Sequence, residues 1–371
     1  MENELTIMPS FGAGLKTDAP LEAKPEQEPQ AYKGKRVKVF SLPWHIGHQY
    51  ELLKLPFEWN YLIQHTRKWA ESARPMPEHL NWVPYYEPGK YDFALLHVDQ
   101  QCLDETISYG KTNVFKEMRK QINDIPIIVI NHGTPVYPEV FMQMAEKYGW
   151  KSSEQAGEEW ARGSMKKLLK GVSEMVVNSH EAQKQWAWGK AIIHGIDPDE
   201  WWNLPKEPRI VTCISPAGMG EKYYGRRFLK EVRDILRNDY GIQHMWIGEN
   251  GQFAPSWDHY REYLGKSLIY FNPTIGSPMP RSRTEAMMSG CCVVTTSFQD
   301  ADTFIKDGEN GFIVPLNPER AAKILADLLS DYKRAEEIGQ KGRETAMEIF
   351  SSERFRQDWK GLVGKILNRD L

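Results

Sequence analysis

Short apolar runs alternate with amphipathic stretches along most of the chain. In the first half the runs are Val37–Leu42, Phe93–Val98, Ile125–Asn131, Met175–Asn178 and Ala191–His194. Most are rich in Val, Ile or Leu, which is typical of strands buried on both faces of a parallel sheet. Helical patterns lie between the runs, for example over Glu154–Lys170. This alternation predicts βαβ units and therefore an α/β fold.

A proline-rich break separates this series from a second one. Residues 198–208 contain Pro198, Pro205 and Pro208 and are predicted to be a linker. The strands predicted beyond it are Ile210–Ser215, Gln243–Ile247, Leu268–Phe271, Cys292–Thr296 and Phe312–Val314. We therefore expect two Rossmann-like, doubly wound parallel-sheet domains, residues 35–197 and 209–350, that face a central cleft. Ligands of such sheets bind beyond the carboxyl ends of the strands.

The two ends of the chain have different patterns. Residues 1–34 are rich in Pro, Glu, Lys and Gln and lack an apolar period, which predicts a flexible tail. Asn317 before Pro318 is a typical helix start. Ser351 and Ser352 can cap a final helix whose apolar residues include Phe355 and Trp359, and we expect residues 351–371 to pack back toward the first domain.

Composition narrows the class of protein. With 371 residues, of which 41% are hydrophobic and 26% charged, the chain is long enough for two cores. A net charge of −3 gives no global basic field for nucleic-acid binding. No cysteines form a C-x-x-C pair, and there is neither a secretory signal nor an apolar run long enough to span a membrane, so a cytoplasmic location is expected.

The most informative stretch is Asn272–Thr296, a Gly/Pro-rich loop and a short helix between two predicted strands. Ser282 and Glu285 have the spacing of a capping box. The start of this helix directs free N–H groups and the positive end of its dipole at the loop, where a phosphate would be stabilised.

The string from Glu285 to Val294, EAMMSGCCVV, resembles the donor-binding motif of retaining glycosyltransferases of the glycogen-synthase-like family 4. This resemblance implies the GT-B fold and transfer of a sugar from a UDP- or GDP-sugar to an acceptor hydroxyl, without a required cofactor or metal. It also implies that Glu285 holds the ribose hydroxyls of the nucleotide. The first glutamate of the family motif, which contacts the transferred sugar, falls on Ser277.

Weaker matches occur in the expected order along the chain. Asp307–Val314 is similar to the family's D-G-x-N-G-x-x-V turn, and Val176–His180 with Ile192–Asp197 is similar to its V-x-N-S and I-x-N-G-V-D pair. Asn131-His132-Gly133 looks like the family step whose histidine reaches the donor sugar, so we predict a catalytic role for His132.

The remaining candidates concern the donor's phosphates and nucleotide. The family's Arg and Lys pair is out of register here, and either Lys222 or Arg226 is predicted to neutralise the leaving phosphate. Gly218 permits close approach of the backbone to a diphosphate, and Glu249 follows a strand. The other donor-binding candidates belong to the loop and helix already described: Gly276, Ser277, Arg281, Ser282, Arg283, Thr284 and Glu285.

Other functions remain open at this point. A nucleotide-sugar epimerase or hydrolase can share the same architecture, and the loss of the acid at Ser277 would also suit a non-catalytic nucleotide-sugar-binding subunit. The acceptor can be a glycan, a lipid-linked glycan or a small molecule. Aromatic and basic residues of the first domain would also suit a polymer, including modified DNA bases. The sequence does not define the oligomeric state.

Overall fold

A first parallel sheet of seven strands occupies the N-terminal half of the computed structural model, which describes residues 36–63, 69–103, 110–135, 154–214, 224–277 and 279–371. Its order is β3-β2-β1-β4-β5-β6-β7. The strands are β1 (Lys38–Ser41), β2 (Glu58–Leu62), β3 (Leu80–Val83), β4 (Phe93–Val98), β5 (Ile127–Asn131), β6 (Glu174–Val177) and β7 (Lys190–Ala191). The helices of this half are α1 (Ile46–Leu52), α2 (Gly110–Gln121), α3 (Glu154–Leu168) and α4 (His180–Trp186).

A second parallel sheet, of five strands in the order β12-β11-β10-β8-β9, follows a short 3₁₀ turn at Pro198–Glu200. Its strands are β8 (Glu207–Cys213), β9 (His244–Ile247), β10 (Ser267–Asn272), β11 (Cys292–Thr296) and β12 (Phe312–Val314). The helices are α5 (Arg226–Tyr240), α6 (Trp257–Lys266), α7 (Arg281–Met288), α8 (Ala301–Phe304), α9 (Pro318–Ser330), α10 (Tyr332–Ile349) and α11 (Ser352–Leu367).

The two parallel sheets confirm the predicted α/β fold with two doubly wound domains. All ten predicted strands overlap an observed one, although their ends differ by up to three residues. Strands β2 and β3 were not predicted. Their sequences, EWNYL and LNWV, are short and contain asparagine, so neither gives the continuous apolar run that identifies β4 and β5.

Apolar layers lie on both faces of each sheet. Helix α11, from the end of the chain, covers one face of the first sheet, where Phe355 and Trp359 pack in the same cluster as Val39 and Phe93. The caps predicted for α9 and α11 are correct. Asn317 accepts a hydrogen bond from Arg320 N–H, and Ser351 accepts one from Arg354 N–H.

Helix α10 approaches the end of α7 so closely that a glycine is required at the contact. A Cβ on Gly339 would stand 2.4 Å from the carbonyl oxygen of Gly290 and 2.8 Å from the amide nitrogen of Cys292. Both atoms belong to the backbone, so a side-chain rotation cannot relieve the clash.

Replacing Gly339 by alanine is therefore expected to lower the free energy of unfolding by about 2 kcal/mol. Urea denaturation followed by circular dichroism measures this change. Gly361→Ala is the matched control, because no described atom lies within 4 Å of a Cβ there. The control should be neutral or stabilising by up to about 1 kcal/mol. Equal effects of the two substitutions would contradict the close contact.

Candidate functional site

A central cavity of about 420 Å³ opens at the carboxyl ends of the second sheet's strands, where the two domains face each other. The second domain contributes Cys213 at the end of β8, Ile214 directly after it, Ile247 at the end of β9, and the loop that follows β10. The first domain contributes residues that follow β1 and residues of the connection after β2. The side chains that line the cavity include His45, Arg74, Tyr260, Thr274, Ser277, Arg281, Ser282 and Glu285.

Glu285 lies at the floor of this cavity with only 3% of its surface exposed. Its Oε2 accepts a hydrogen bond of 2.8 Å from the Tyr260 hydroxyl, and its Oε1 accepts one of 3.1 Å from Arg281 Nε. The guanidinium of Arg74 also donates to Oε1. Burial opposes ionisation of this carboxyl, but Arg74, Arg281 and Tyr260 outweigh it and hold the pKa of Glu285 below its ordinary value. Glu285 is therefore a buried carboxylate.

Arg74 comes from the first domain and is 211 residues away from Glu285 in sequence. Its guanidinium lies 4.1 Å from the ring centre of Trp257 and 5.2 Å from that of Trp201. Stacking on two indole rings and pairing with a carboxylate both stabilise a cation that is only 4% exposed. Sequence reasoning did not identify Arg74 or Tyr260, since no local pattern links them to Glu285.

Arg281 connects α7 to the first domain. Its Nη2 lies 3.0 Å from Glu51 Oε1, and its Nη1 donates to the carbonyl oxygen of Gly195 at 3.3 Å. Glu51 also lies 3.0 Å from Lys54, which forms a second ion pair of 2.7 Å with Glu200. Glu285 is thus one member of a series of buried and half-buried charges that runs between the domains.

The capping box predicted for Ser282 and Glu285 is wrong. Helix α7 begins at Arg281 with Pro280 as its N-cap, and no side chain caps it. Proline fixes the backbone two residues earlier than the predicted start. Ser282 Oγ instead accepts a hydrogen bond of 2.7 Å from the Tyr270 hydroxyl, and Glu285 makes the ion pairs described above.

The other predicted residues of the loop and of α7 fall into two groups. Ser277, Arg281 and Ser282 line the central cavity, and Gly276 precedes Ser277 in the same loop. Arg283 and Thr284 are not among the described residues that line it; they are 1% and 0% exposed. Burial lowers the pKa of Arg283 to about 10, and its guanidinium lies 5.1 Å from the ring centre of Phe304. Arg283 therefore packs inside the second domain.

Only some of the residues that were predicted to bind the donor's phosphates and nucleotide lie within the described residues. Gly218 and Lys222 lie outside the described residues, and Arg226 begins α5. Glu249 does not line the central cavity; it borders a second cavity of about 270 Å³ and is held at both oxygens by Arg233, at 2.5 and 3.0 Å.

His132 follows β5, and its backbone N–H donates to Val98 O on the neighbouring strand. Its ring is partly exposed and stacks on His45, with ring centres 5.9 Å apart. Both ring nitrogens have protein partners: Nε2 lies 3.0 Å from His97 Nδ1, and Nδ1 lies 3.3 Å from the Asn178 amide. His45, but not His132, is among the described residues that line the central cavity.

The described residues contain no group of three or more His, Cys, Asp or Glu side chains arranged to hold a metal ion. None of their helices is long and apolar enough to cross a membrane.

Two sequence comparisons match part of the chain to known proteins. Residues 239–345 match the family described as glycosyl transferases group 1. A segment of 109 residues is 28% identical to spore coat protein SA of Bacillus subtilis strain 168, and the match spans 29% of this chain and 29% of that relative.

Solved structures of similar shape cover most of the chain. Sucrose-phosphate synthase from Thermosynechococcus elongatus has a TM-score of 0.61 at 14% identity, over 90% of this chain and 100% of that one. HepE from Anabaena, solved with UDP-glucose, also has a TM-score of 0.61 at 14% identity, over 89% of this chain and 100% of that one. The chain therefore has the GT-B fold of these structures, and residues 239–345 are similar to the glycosyl transferases group 1 family.

Proposed function

We propose that this protein transfers a sugar from a UDP- or GDP-sugar to an acceptor hydroxyl with retention of configuration, and that the central cavity holds the donor. The observation that carries the proposal is Glu285, a carboxylate kept ionised at the floor of that cavity. A buried carboxylate is costly unless it is paired, and the ribose of a bound nucleotide would supply two hydroxyl donors to it.

The lone pairs of Glu285 define what donor binding requires. A carboxylate offers about four acceptor sites. Arg74 and Arg281 occupy the two on Oε1, and Tyr260 occupies one on Oε2. One site remains, whereas two ribose hydroxyls need two. One of these three side chains must therefore give up its hydrogen bond to Glu285. Arg74 belongs to the first domain, so its withdrawal requires no change within the second domain.

The loop after β10 supports a donor with a phosphate next to the ribose. Thr274, Ser277 and Ser282 give this wall of the cavity hydroxyl groups, and the start of α7 points toward it. Anabaena HepE binds UDP and UDP-glucose, which favours a UDP-sugar among the candidates. Ser277 stands where the related motif has an acid, so its hydroxyl would replace a charged contact to the sugar.

Charge must also be neutralised on the departing diphosphate. We assign this task to Lys222 or Arg226, with Gly218 allowing close approach of the backbone, and no resident metal ion takes part. Activity should then persist in excess EDTA. The acceptor is a glycan, a lipid-linked glycan or a small molecule that enters from the first domain, and the reaction takes place in the cytoplasm.

A ligand screen tests the proposal directly. A nucleotide sugar present at a hundred times its dissociation constant should raise the free energy of unfolding by roughly 2.7 kcal/mol. Thermal-shift measurements with UDP, GDP and a panel of their sugars detect such a change. Failure of every nucleotide and nucleotide sugar to raise the Tm would refute the proposal, and release of free sugar from one of them would show that the bound donor reacts.

A further inference from the structure

Gln49 is locked in place by four hydrogen bonds in the core of the first domain, where it is fully buried. Its Oε1 accepts from the backbone N–H groups of Trp44 and His45, at 2.7 and 3.1 Å. Its Nε2 lies 2.8 Å from the carbonyl oxygen of Leu42 and 3.0 Å from His97 Nε2. Two N–H donors on one side and a carbonyl on the other fix the orientation of the amide.

This orientation determines where the protons of two histidines lie. Because Gln49 Nε2 is a donor, His97 Nε2 must be an acceptor, and the proton of the neutral His97 ring is on Nδ1. His97 Nδ1 then donates to His132 Nε2, 3.0 Å away. His132 Nε2 is consequently an acceptor as well, and the proton of His132 is on Nδ1.

Asn178 is the last member of this hydrogen-bonded series. Its amide lies 3.3 Å from His132 Nδ1, and in the described part of the chain its Oδ1 is buried without a hydrogen-bond partner. A half-turn of the amide exchanges its nitrogen and oxygen without moving other atoms. The oxygen then accepts from His132 Nδ1–H. The NH2 group then takes the position that the oxygen left, so the flip is favoured by the His132 tautomer and not by a larger number of hydrogen bonds.

We propose that Gln49 and His97 are positioning residues that hold His132 as a neutral imidazole, with its proton on Nδ1, beside the cleft. Adding a proton to either ring would set two N–H groups against each other, at Gln49 or between the two histidines. Both ring nitrogens of His132 are hydrogen-bonded, so His132 cannot act as a general acid or base unless one of these hydrogen bonds breaks first.

The catalytic consequence rests on the proposed function. Glycosyl transfer passes through a state with positive charge on the sugar ring. His132 stacks on His45, which lines the proposed donor cavity, so an imidazolium at His132 would raise the energy of that charge, whereas a neutral ring would not. The hydrogen-bonded series of Gln49, His97, His132 and Asn178 keeps the His132 ring in this neutral form.

Nuclear magnetic resonance of the ligand-free, ¹⁵N-histidine-labelled full chain tests the proton positions. Imidazole nitrogens that carry a proton have different shifts from those that do not, so the two neutral tautomers and the imidazolium are distinguished. We expect His97 and His132 both to be neutral with the proton on Nδ1 at pH 7. A proton on Nε2 of His132, or an imidazolium signal from it, would overturn the proposal.

Two substitutions of the buried His97 separate positioning from packing. In His97→Asn the amide nitrogen can replace Nδ1 and still donate to His132, whereas in His97→Gln the amide reaches toward Gln49 instead. We expect His97→Asn to keep the His132 tautomer and a kcat within about threefold of the wild type, and His97→Gln to lose both, with kcat about tenfold lower. Similar Tm values of the two variants would exclude a difference in folding.

The outcomes distinguish this inference from the proposed function. If the wild type turns over a nucleotide sugar and both variants match its kcat, the positioning role is wrong. If the wild type neither binds nor turns over any nucleotide sugar, the proposed function is wrong, and the tautomer measurement still decides the proton positions.

Discussion

Replacing Glu285 by glutamine is expected to lower the free energy of unfolding by about 3–5 kcal/mol, because it leaves a buried cation without its counter-charge. Arg74 and Arg281 have side chains only 5% and 7% exposed, and both donate to the same oxygen of Glu285. Arg281 keeps Glu51 as a partner, but Glu285 is the single carboxylate paired with Arg74 among the described residues. Urea denaturation of the ligand-free protein measures the loss.

Glu249→Gln is the matched control. Glu249 is also held by an arginine in the second domain, but the side chains of Glu249 and Arg233 are 37% and 25% exposed. Solvent screens such a pair, and its removal should cost no more than about 1 kcal/mol. If both substitutions cost the same, the charge on Glu285 is not buried as described.

The difference between the wild type and Glu285→Gln should depend on pH. Because the pKa of Glu285 is lowered in the folded protein, its ionisation adds stability above the ordinary carboxyl value of 4.5. That contribution is lost as the pH falls below 4.5 through the lowered folded-state value. We therefore expect a constant difference between pH 6 and 8, and a smaller one at pH 3.5. A difference that stays constant down to pH 3.5 would contradict the lowered pKa.

Local pattern was sufficient to predict most of the second domain. The string Glu285–Val294 predicts a helix and the strand after it, and the structure has α7 and β11 there. Apolar continuity predicts β4, β5 and β10, since buried parallel strands need apolar residues on both faces. Gly290 adopts a φ of +74°, which explains why the string has glycine two residues after the last residue of the helix.

The environment of Glu285 was not predictable in this way. Tyr260 is 25 residues from Glu285 in sequence and meets it where α6 packs on α7, whereas Arg74 is 211 residues away and meets it only because the two domains pack together. Single-sequence patterns report periodicity and turns, but not which distant charges pair. The hydrogen-bonded series of Gln49, His97, His132 and Asn178 was not predictable for the same reason, because its members follow four different parallel strands or lie near their ends.

Replacing Arg74 by methionine is expected to strengthen nucleotide binding, by about 10- to 100-fold in Kd. In the structure, Arg74 occupies an acceptor site on Glu285 that two ribose hydroxyls would need. Binding to the wild type must then include the free-energy cost of separating this ion pair and of unstacking the guanidinium from Trp257. A protein whose binding-competent state is a minor one binds more weakly in proportion to that population. Methionine fills similar space without a charge, and calorimetric titration with UDP measures the change.

Arg261→Met is the control that isolates the contact with Glu285. The guanidinium of Arg261 also stacks on aromatic rings, 5.2 Å from Trp257 and 4.2 Å from Trp202, but it pairs with Asp258 instead of Glu285. Its loss should leave the Kd for UDP unchanged. Weaker binding by Arg74→Met would instead mean that the guanidinium moves onto the donor's phosphates when the nucleotide enters. Arg74 would then be part of the donor site, and the ion pair with Glu285 would be its resting position between donors.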